Sequence, residues 1–101
     1  MFTAEKSHPA EDQVVENTAL NRFEIHLGGH VAVAEYQVEG DRMLFTHTGV
    51  PAEFRGRGIA EKLVLAGFRT ARERRLKIVP VCSYVAAVLQ RHPEFRNEGE
   101  P

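Results

Sequence analysis

Val50-Pro51-Ala52-Glu53-Phe54-Arg55-Gly56-Arg57-Gly58-Ile59-Ala60 is the stretch on which the fold turns. A strand-like run ends at Pro51, which cannot continue a hydrogen-bonded ladder. The chain then bends through two glycines, and a proline-free, helix-forming run begins at Ile59. The first amides of a helix have no internal acceptors, and the helix dipole makes that end electropositive. Gly56 and Gly58 let the backbone approach an anion closely, while Arg55 and Arg57 add charged donors. The stretch therefore reads as a pyrophosphate cradle or as a plain strand-to-helix turn. It is not a P-loop, because no Lys-Ser or Lys-Thr follows the second glycine. Nor is it a dinucleotide fingerprint, since a third glycine is missing and the preceding sheet is antiparallel.

Outward toward the N-terminus, Phe23-Glu24-Ile25-His26-Leu27 alternates apolar and polar residues as a half-buried strand does. Gly28-Gly29 supplies a tight link, and Gly40-Asp41 supplies a second after His30 to Val38. A third run, Arg42 to Val50, completes a three-stranded antiparallel meander. Pairing Leu27 with His30 and Glu39 with Arg42 puts cross-strand partners on shared faces. One face then collects Phe23, Ile25, Leu27, Ala32, Ala34, Tyr36, Val38, Met43 and Phe45. The other holds Arg22, Glu24, His26, Glu35, Gln37, Glu39 and Arg42, with Val31, Val33 and Leu44 among them. A bulge in the third strand would shift Thr46 to Val50 but leave Arg42 to Phe45 in place.

Outward in the other direction, Ile59 to about Arg75 predicts a helix with Ile59, Leu63, Ala66 and Thr70 on one stripe, widened by Val64, Phe68 and Ala71. Arg72, Arg74 and Arg75 suit the negative end of its dipole. Lys77 to Cys82 reads as a short strand in which Pro80 signals an edge or irregular position. Ser83 is expected to cap a second helix from Tyr84 to about Arg91, halted by Pro93. The order β-β-β-α-β-α defines an α+β (α/β-like) domain whose last strand runs parallel to the third by a right-handed crossover.

Composition sets the bounds. The chain has 101 residues, enough for one domain with a modest core and no separate substrate domain. Its 13 basic and 14 acidic residues leave a formal charge of −1, which argues against a dedicated nucleic-acid binder despite the basic run Arg69 to Lys77. A single cysteine, Cys82, forbids an internal disulfide and favours a reducing, cytoplasmic location. No run approaches the roughly 18 apolar residues of a membrane span. Residues 1–12 read as a disordered lead-in, 13–96 as the domain and 97–101 as a tail. His26 and His30 fall on opposite faces of their hairpin and no cysteine pair accompanies them, so no metal site is expected.

The central stretch resembles the Arg-x-x-Gly-x-Gly/Ala signature of the GNAT (N-acetyltransferase) superfamily, met by Arg55, Gly58 and Ala60. Val50-Pro51 and Leu63-Val64 also resemble it. A closer resemblance, to a subfamily of very short GNAT-like proteins, covers roughly residues 20–96. It is carried by His47-Thr48-x-Val50-Pro51, Gly56 to Ala60, Pro80-Val81-Cys82-Ser83-Tyr84-Val85, and Arg91-His92-Pro93-Glu94-Phe95. The resemblance implies a minimal fold without the family's usual N-terminal helices and final strands, and acetyl-CoA or coenzyme A as cofactor. It also implies a third strand that splays from its parallel neighbour, so that pantetheine inserts between them. The sequence departs from the pattern at Gly49, where the short relatives often carry an acid. It departs again in Leu89 to Phe95, which lacks the tyrosine acid of larger members.

On this reading the cofactor-binding residues are Val50, Arg55, Gly56, Arg57, Gly58, Ile59, Ala60, Ser83 and His92, although His92 also suits a packing or capping role. Cys82, at a strand end beside a helix N-terminus, is a candidate nucleophile or a small buried residue. Because a histidine's unperturbed pKa near 6.5 suits a general base, His47 is a candidate base for an incoming amine or an ordering residue of the strand end. Tyr84 is a candidate proton donor or an anchor of the last helix. The expected partners are acyl-CoA and an amine acceptor, a protein lysine or terminus among the candidates, with no metal, membrane or nucleic acid. The alternative is a CoA-binding module without efficient turnover.

Overall fold

The computed structural model describes residues 13–97, so the expected lead-in and residues 98–101 of the tail lie outside it. In order come β1 (Val15–Asn17), β2 (Arg22–Leu27), β3 (His30–Glu39), β4 (Arg42–Gly49), α1 (Ile59–Glu73), β5 (Lys77–Pro80) and α2 (Ser83–Arg91). Short 3-10 turns occupy Ala52–Phe54 and Pro93–Phe95. The strands form one sheet in sequence order, antiparallel from β1 to β4 and parallel between β4 and β5.

The meander forms in the expected register: Leu27 pairs with His30 and Glu39 with Arg42. Its apolar face is buried from Phe23 to Phe45, except that Val38 is 49% exposed. The bulge is real. Tyr36 faces Phe45 and Glu35 faces His47, which leaves Thr46 as the extra residue in β4. The sheet gains one strand that sequence periodicity does not reveal, β1. Its Glu16 accepts from both terminal nitrogens of Arg74 at the end of α1 (2.9 and 2.6 Å) and from the Tyr36 hydroxyl (2.5 Å). The Arg74 hydrogen bond holds the Glu16 carboxyl below its ordinary value. Burial, with Glu16 beside it, pushes the Tyr36 phenol up to about 12.

Both helices cover the same face. The buried stripe of α1 is Ile59, Leu63, Val64, Gly67, Phe68 and Ala71, so its centre is rotated from the expected Ala66 and Thr70, which are only half-buried. Phe68 meets Phe45 edge-on at 5.4 Å between centroids, and Phe95 from the other side at 5.5 Å. Gly67 packs tightly against the sheet, because a Cβ there would stand 2.5 Å from Phe45 Cε1. Val85 and Val88 of α2 complete this single core.

The outer edge of the sheet is closed locally. Asn97 folds back so that its amide accepts from Ile78 N–H (2.8 Å) and donates to Ile78 C=O (2.9 Å), as a neighbouring strand would. Pro80 stands at the end of that edge strand, where its missing donor costs nothing. β5 stops at Pro80, two residues earlier than expected. Cys82, in extended backbone, is the N-cap of α2, while Ser83, the expected cap, is its first residue. Among the described residues no helix is long and apolar enough to cross a membrane. None of their His, Cys, Asp or Glu side chains cluster as metal ligands.

Candidate functional site

The site begins with the end of β4 and the start of α1. After Val50 the chain makes its 3-10 turn, then passes Gly56 at φ +83° and Gly58 at φ +75°, both left-handed conformations that favour glycine. Gly58 is the N-cap of α1 and has no side chain to satisfy the first amides, so these face outward without an internal acceptor. A hollow of about 230 Å³ lies against them, bounded by Val50, Phe54, Arg55, Gly56, Gly58, Ile59 and Ala60, and by Tyr84 of α2. Of the residues chosen from the sequence for cofactor binding, Val50, Arg55, Gly56, Gly58, Ile59 and Ala60 line this concavity, whereas Arg57, Ser83 and His92 do not. Both arginines of the loop are partly committed: Arg55 Nε donates to the Val50 carbonyl (3.3 Å), and the Arg57 guanidinium stacks 5.1 Å over the Phe54 ring. Phe54 itself meets His30, whose imidazole lies 3.3 Å from Glu53. The loop is anchored to the β2–β3 hairpin on its far side.

A fork in the sheet adjoins the hollow. The β4–β5 ladder runs only from Arg42–Lys77 to Phe45–Pro80, and one last bond joins Cys82 N–H to the Phe45 carbonyl (2.9 Å). Beyond that point β4 bulges at Thr46, β5 has ended, and the strands part. Thr48 stands on one side of the gap and Cys82 on the other, with Oγ1 and Sγ 3.8 Å apart. Sequence reasoning missed Thr48 because its partner is 34 residues away. At the N-cap, Cys82 Sγ makes no hydrogen bond of ordinary geometry to α2. Burial pushes its thiol up, but the amides of Val85 and Tyr84 and the hydroxyl and amide of Thr48 favour the thiolate, and the net pKa lies below the ordinary thiol value. The side chain stays partly accessible.

His47 lies on the other face of the sheet. It pairs with Glu35 on the side away from the helices, and its Nε2 sits over Gly49, where a Cβ would be 3.4 Å away. The structure therefore brings Cys82 and Thr48 together at the fork and sets His47 one residue along β4, facing the open side. The same face carries Glu24, a nearly buried carboxylate that accepts from Arg22 Nε (2.7 Å) and Asn17 Nδ2 (3.0 Å) and meets His26 Nε2 (2.9 Å). Its hydrogen bond with Arg22, then that with His26, pulls its pKa down to about 2.

The remaining candidates divide. Tyr84 lines the hollow. Ser83 is exposed at the start of α2. His92, the C-cap of α2, reaches Glu61 in the first turn of α1 at 2.6 Å, and Arg91 joins from 3.3 Å. His92 first, with Arg91, lowers the Glu61 pKa. Arg91 and the His92 imidazole together engage a carboxylate at the electropositive end of α1, a role for His92 that no local sequence signal marks.

This geometry matches a known class. A family profile described as GCN5-related N-acetyl-transferase matches residues 22–98. The chain therefore belongs to the GCN5-related N-acetyltransferase family, and the α+β fold and its short GNAT character are those expected from the resemblance. It is 33% identical over 84 residues to Protein NATD1 of Gallus gallus, a match spanning 80% of this chain and 76% of that one. The NMR solution structure of a GCN5-like protein from Staphylococcus aureus superposes with a TM-score of 0.67 at 28% identity, covering 86% of each chain.

Proposed function

We propose that this chain is an acetyl-CoA-dependent N-acetyltransferase acting on an amine acceptor. The observation that carries this reading is the adjacency of the anion-ready hollow at the start of α1 to the fork between β4 and β5, with the Cys82 thiol at its edge. The first amides of α1, Gly56 and Gly58 would hold the pyrophosphate, with Arg55 and Arg57 as added donors. Acetyl-CoA supplies the activated acyl group as a thioester. Backbone amides next to Val50 would stabilise the oxyanion that develops on the acyl carbonyl.

Two routes share this site. In the direct route the amine gives a proton to His47, its nitrogen forms a bond to the acyl carbon, and the carbon–sulfur bond to CoA breaks. In the relay route the Cys82 thiolate attacks first and CoA leaves as its thiolate, after which the amine nitrogen attacks the acyl carbon, gives up its proton to His47, and releases Cys82 as its thiolate. The lowered Cys82 pKa supports the relay. Incubation with acetyl-CoA followed by mass spectrometry should then give an acetyl adduct on Cys82, and Cys82→Ala should abolish turnover. Turnover nearly intact in Cys82→Ala would select the direct route. CoA binding with neither adduct nor acetylation across a broad amine panel would leave a CoA-binding module. Absence of CoA binding would overturn the proposal.

A further inference from the structure

The open face of the sheet holds two carboxylates in opposite circumstances. Glu24 is enclosed by three partners, as described above. Glu35, on the neighbouring strand and half-buried, makes no side-chain hydrogen bond or ion pair among the described residues. Its cross-strand neighbour on one side is Arg22, but that guanidinium is turned to Glu24. Its neighbour on the other side is His47, and the bulge sets Thr46 beside that pair, with Thr46 Oγ1 donating to the Glu35 backbone carbonyl (3.4 Å). Glu35 and His47 thus face each other on adjacent strands without closing a bond, at the level where β4 has lost β5.

We infer that Glu35 and His47 form the acceptor subsite, and that Glu35 selects amines that are protonated in solution. The inference rests on the acetyltransferase reading and deepens it. An alkyl ammonium carries three donors and a positive charge. A lone half-buried carboxylate gives it a charge-assisted acceptor, and the imidazole beside that carboxylate takes a proton. Alkyl amines titrate near 10, so the arriving group is an ammonium ion at neutral pH. The proton count closes. The ammonium gives one proton to neutral His47, and the freed lone pair attacks the acyl carbon. The second proton leaves the nitrogen for the departing thiolate, yielding amide, thiol and protonated His47, which releases its proton to water. An arylamine, neutral at the same pH, gains nothing from Glu35.

The test is amine binding rather than turnover. Imidazole NMR signals of His47 would be followed while 1,4-diaminobutane or aniline is added, with and without CoA. In the natural sequence the diamine should shift the His47 signals saturably and bind at least tenfold more tightly than aniline. Glu35→Gln, which keeps shape and removes charge, should weaken the diamine at least tenfold and leave aniline unchanged. CoA affinity measured alongside should be the same in both proteins. Diamine affinity unchanged in Glu35→Gln, or equal binding of the two amines to the natural sequence, would overturn the subsite. Loss of thermal stability with an unaltered diamine-to-aniline ratio would make Glu35 a structural residue and overturn it as well. Failure of CoA to bind counts separately, against the acetyltransferase reading.

Discussion

The two halves of β4 belong to one strand and have different fates. From Arg42 to Phe45 the strand is flanked by β3 and β5, and Met43 and Phe45 are fully buried. From Thr46 to Gly49 it keeps only β3, and its residues are half-buried or exposed. One extra residue and the loss of one neighbour separate a piece of core from a piece of the candidate site. The lower half spends its hydrogen bonds and side chains on the fold. The upper half frees the edge beside the fork, which a ligand can pair with as a strand would. Breaking the lower half should therefore cost stability, while breaking the upper half should cost binding.

The largest effect is expected from Phe45→Ala, at the last fully flanked position. Its ring is buried against Phe68 and close to Gly67, so truncation should cost about 4 kcal/mol through lost transfer energy and a cavity. Urea unfolding followed by circular dichroism measures this; a loss below about 1 kcal/mol would show that the core is not centred there. Next is Gly58→Glu, on the upper side. No atom lies within 4 Å of a Cβ at this position, so the fold should survive with about 1 kcal/mol of left-handed strain. The new carboxylate would face the outward amides of α1, and CoA affinity by calorimetry should fall at least 100-fold, about 2.8 kcal/mol. Gly58→Ala carries the same strain without the charge. Equal losses in both variants would mean that backbone shape, not anion binding, governs the hollow.

The lower half was legible in the sequence because its signals are local. Period-2 alternation with Gly28-Gly29 and Gly40-Asp41 fixes the register, and Pro80 marks the outer edge. Strand β1 was not legible. Three residues, Val15-Glu16-Asn17, carry no periodicity, and their place depends on Arg74 and Tyr36, which lie far along the chain. The loop from Arg55 to Ala60 could be read because glycines at a strand-to-helix turn have a local cause. The geometry of Cys82 could not, because Ser83 is the better capping residue by type. Cys82 takes the N-cap because β5 ends at Pro80 and the bond to Phe45 fixes the chain there. His92 on Glu61 and Thr48 beside Cys82 are likewise tertiary pairs with no sequence spacing to announce them.

On the open face the same contrast can be sharpened between Glu24 and Glu35. Glu24→Gln removes the charge that its three partners surround and should cost about 2 kcal/mol at neutral pH. The folded carboxyl titrates near 2, below its unfolded value, so its stabilisation is present above the ordinary carboxylate range and is lost as pH falls toward 2. The stability gap between natural sequence and variant should therefore close between about pH 4.3 and pH 2. A gap that persists at pH 2 would assign the loss to packing instead.

The smallest effect is expected at Arg75, and it has the opposite sign. Helix α1 ends in a Schellman motif, with Leu76 N–H donating to Ala71 C=O (2.8 Å) and Arg75 N–H to Arg72 C=O (3.0 Å). The motif needs a left-handed residue at Arg75, which sits at φ +58° with a full side chain. The left-handed glycines of the loop line the hollow without strain, whereas the strain at Arg75 lies at the other end of α1. Arg75→Gly should relieve about 1 kcal/mol of steric cost and lose part of that to the greater freedom of glycine in the unfolded chain. A net gain of about 0.5 kcal/mol in urea unfolding, with CoA affinity unchanged, is the expected result. Arg75→Ala separates the causes, because alanine removes the guanidinium and keeps the strain. If alanine stabilises as much as glycine, the relief comes from charge repulsion with Arg72, Arg74 and Lys77, not from the backbone.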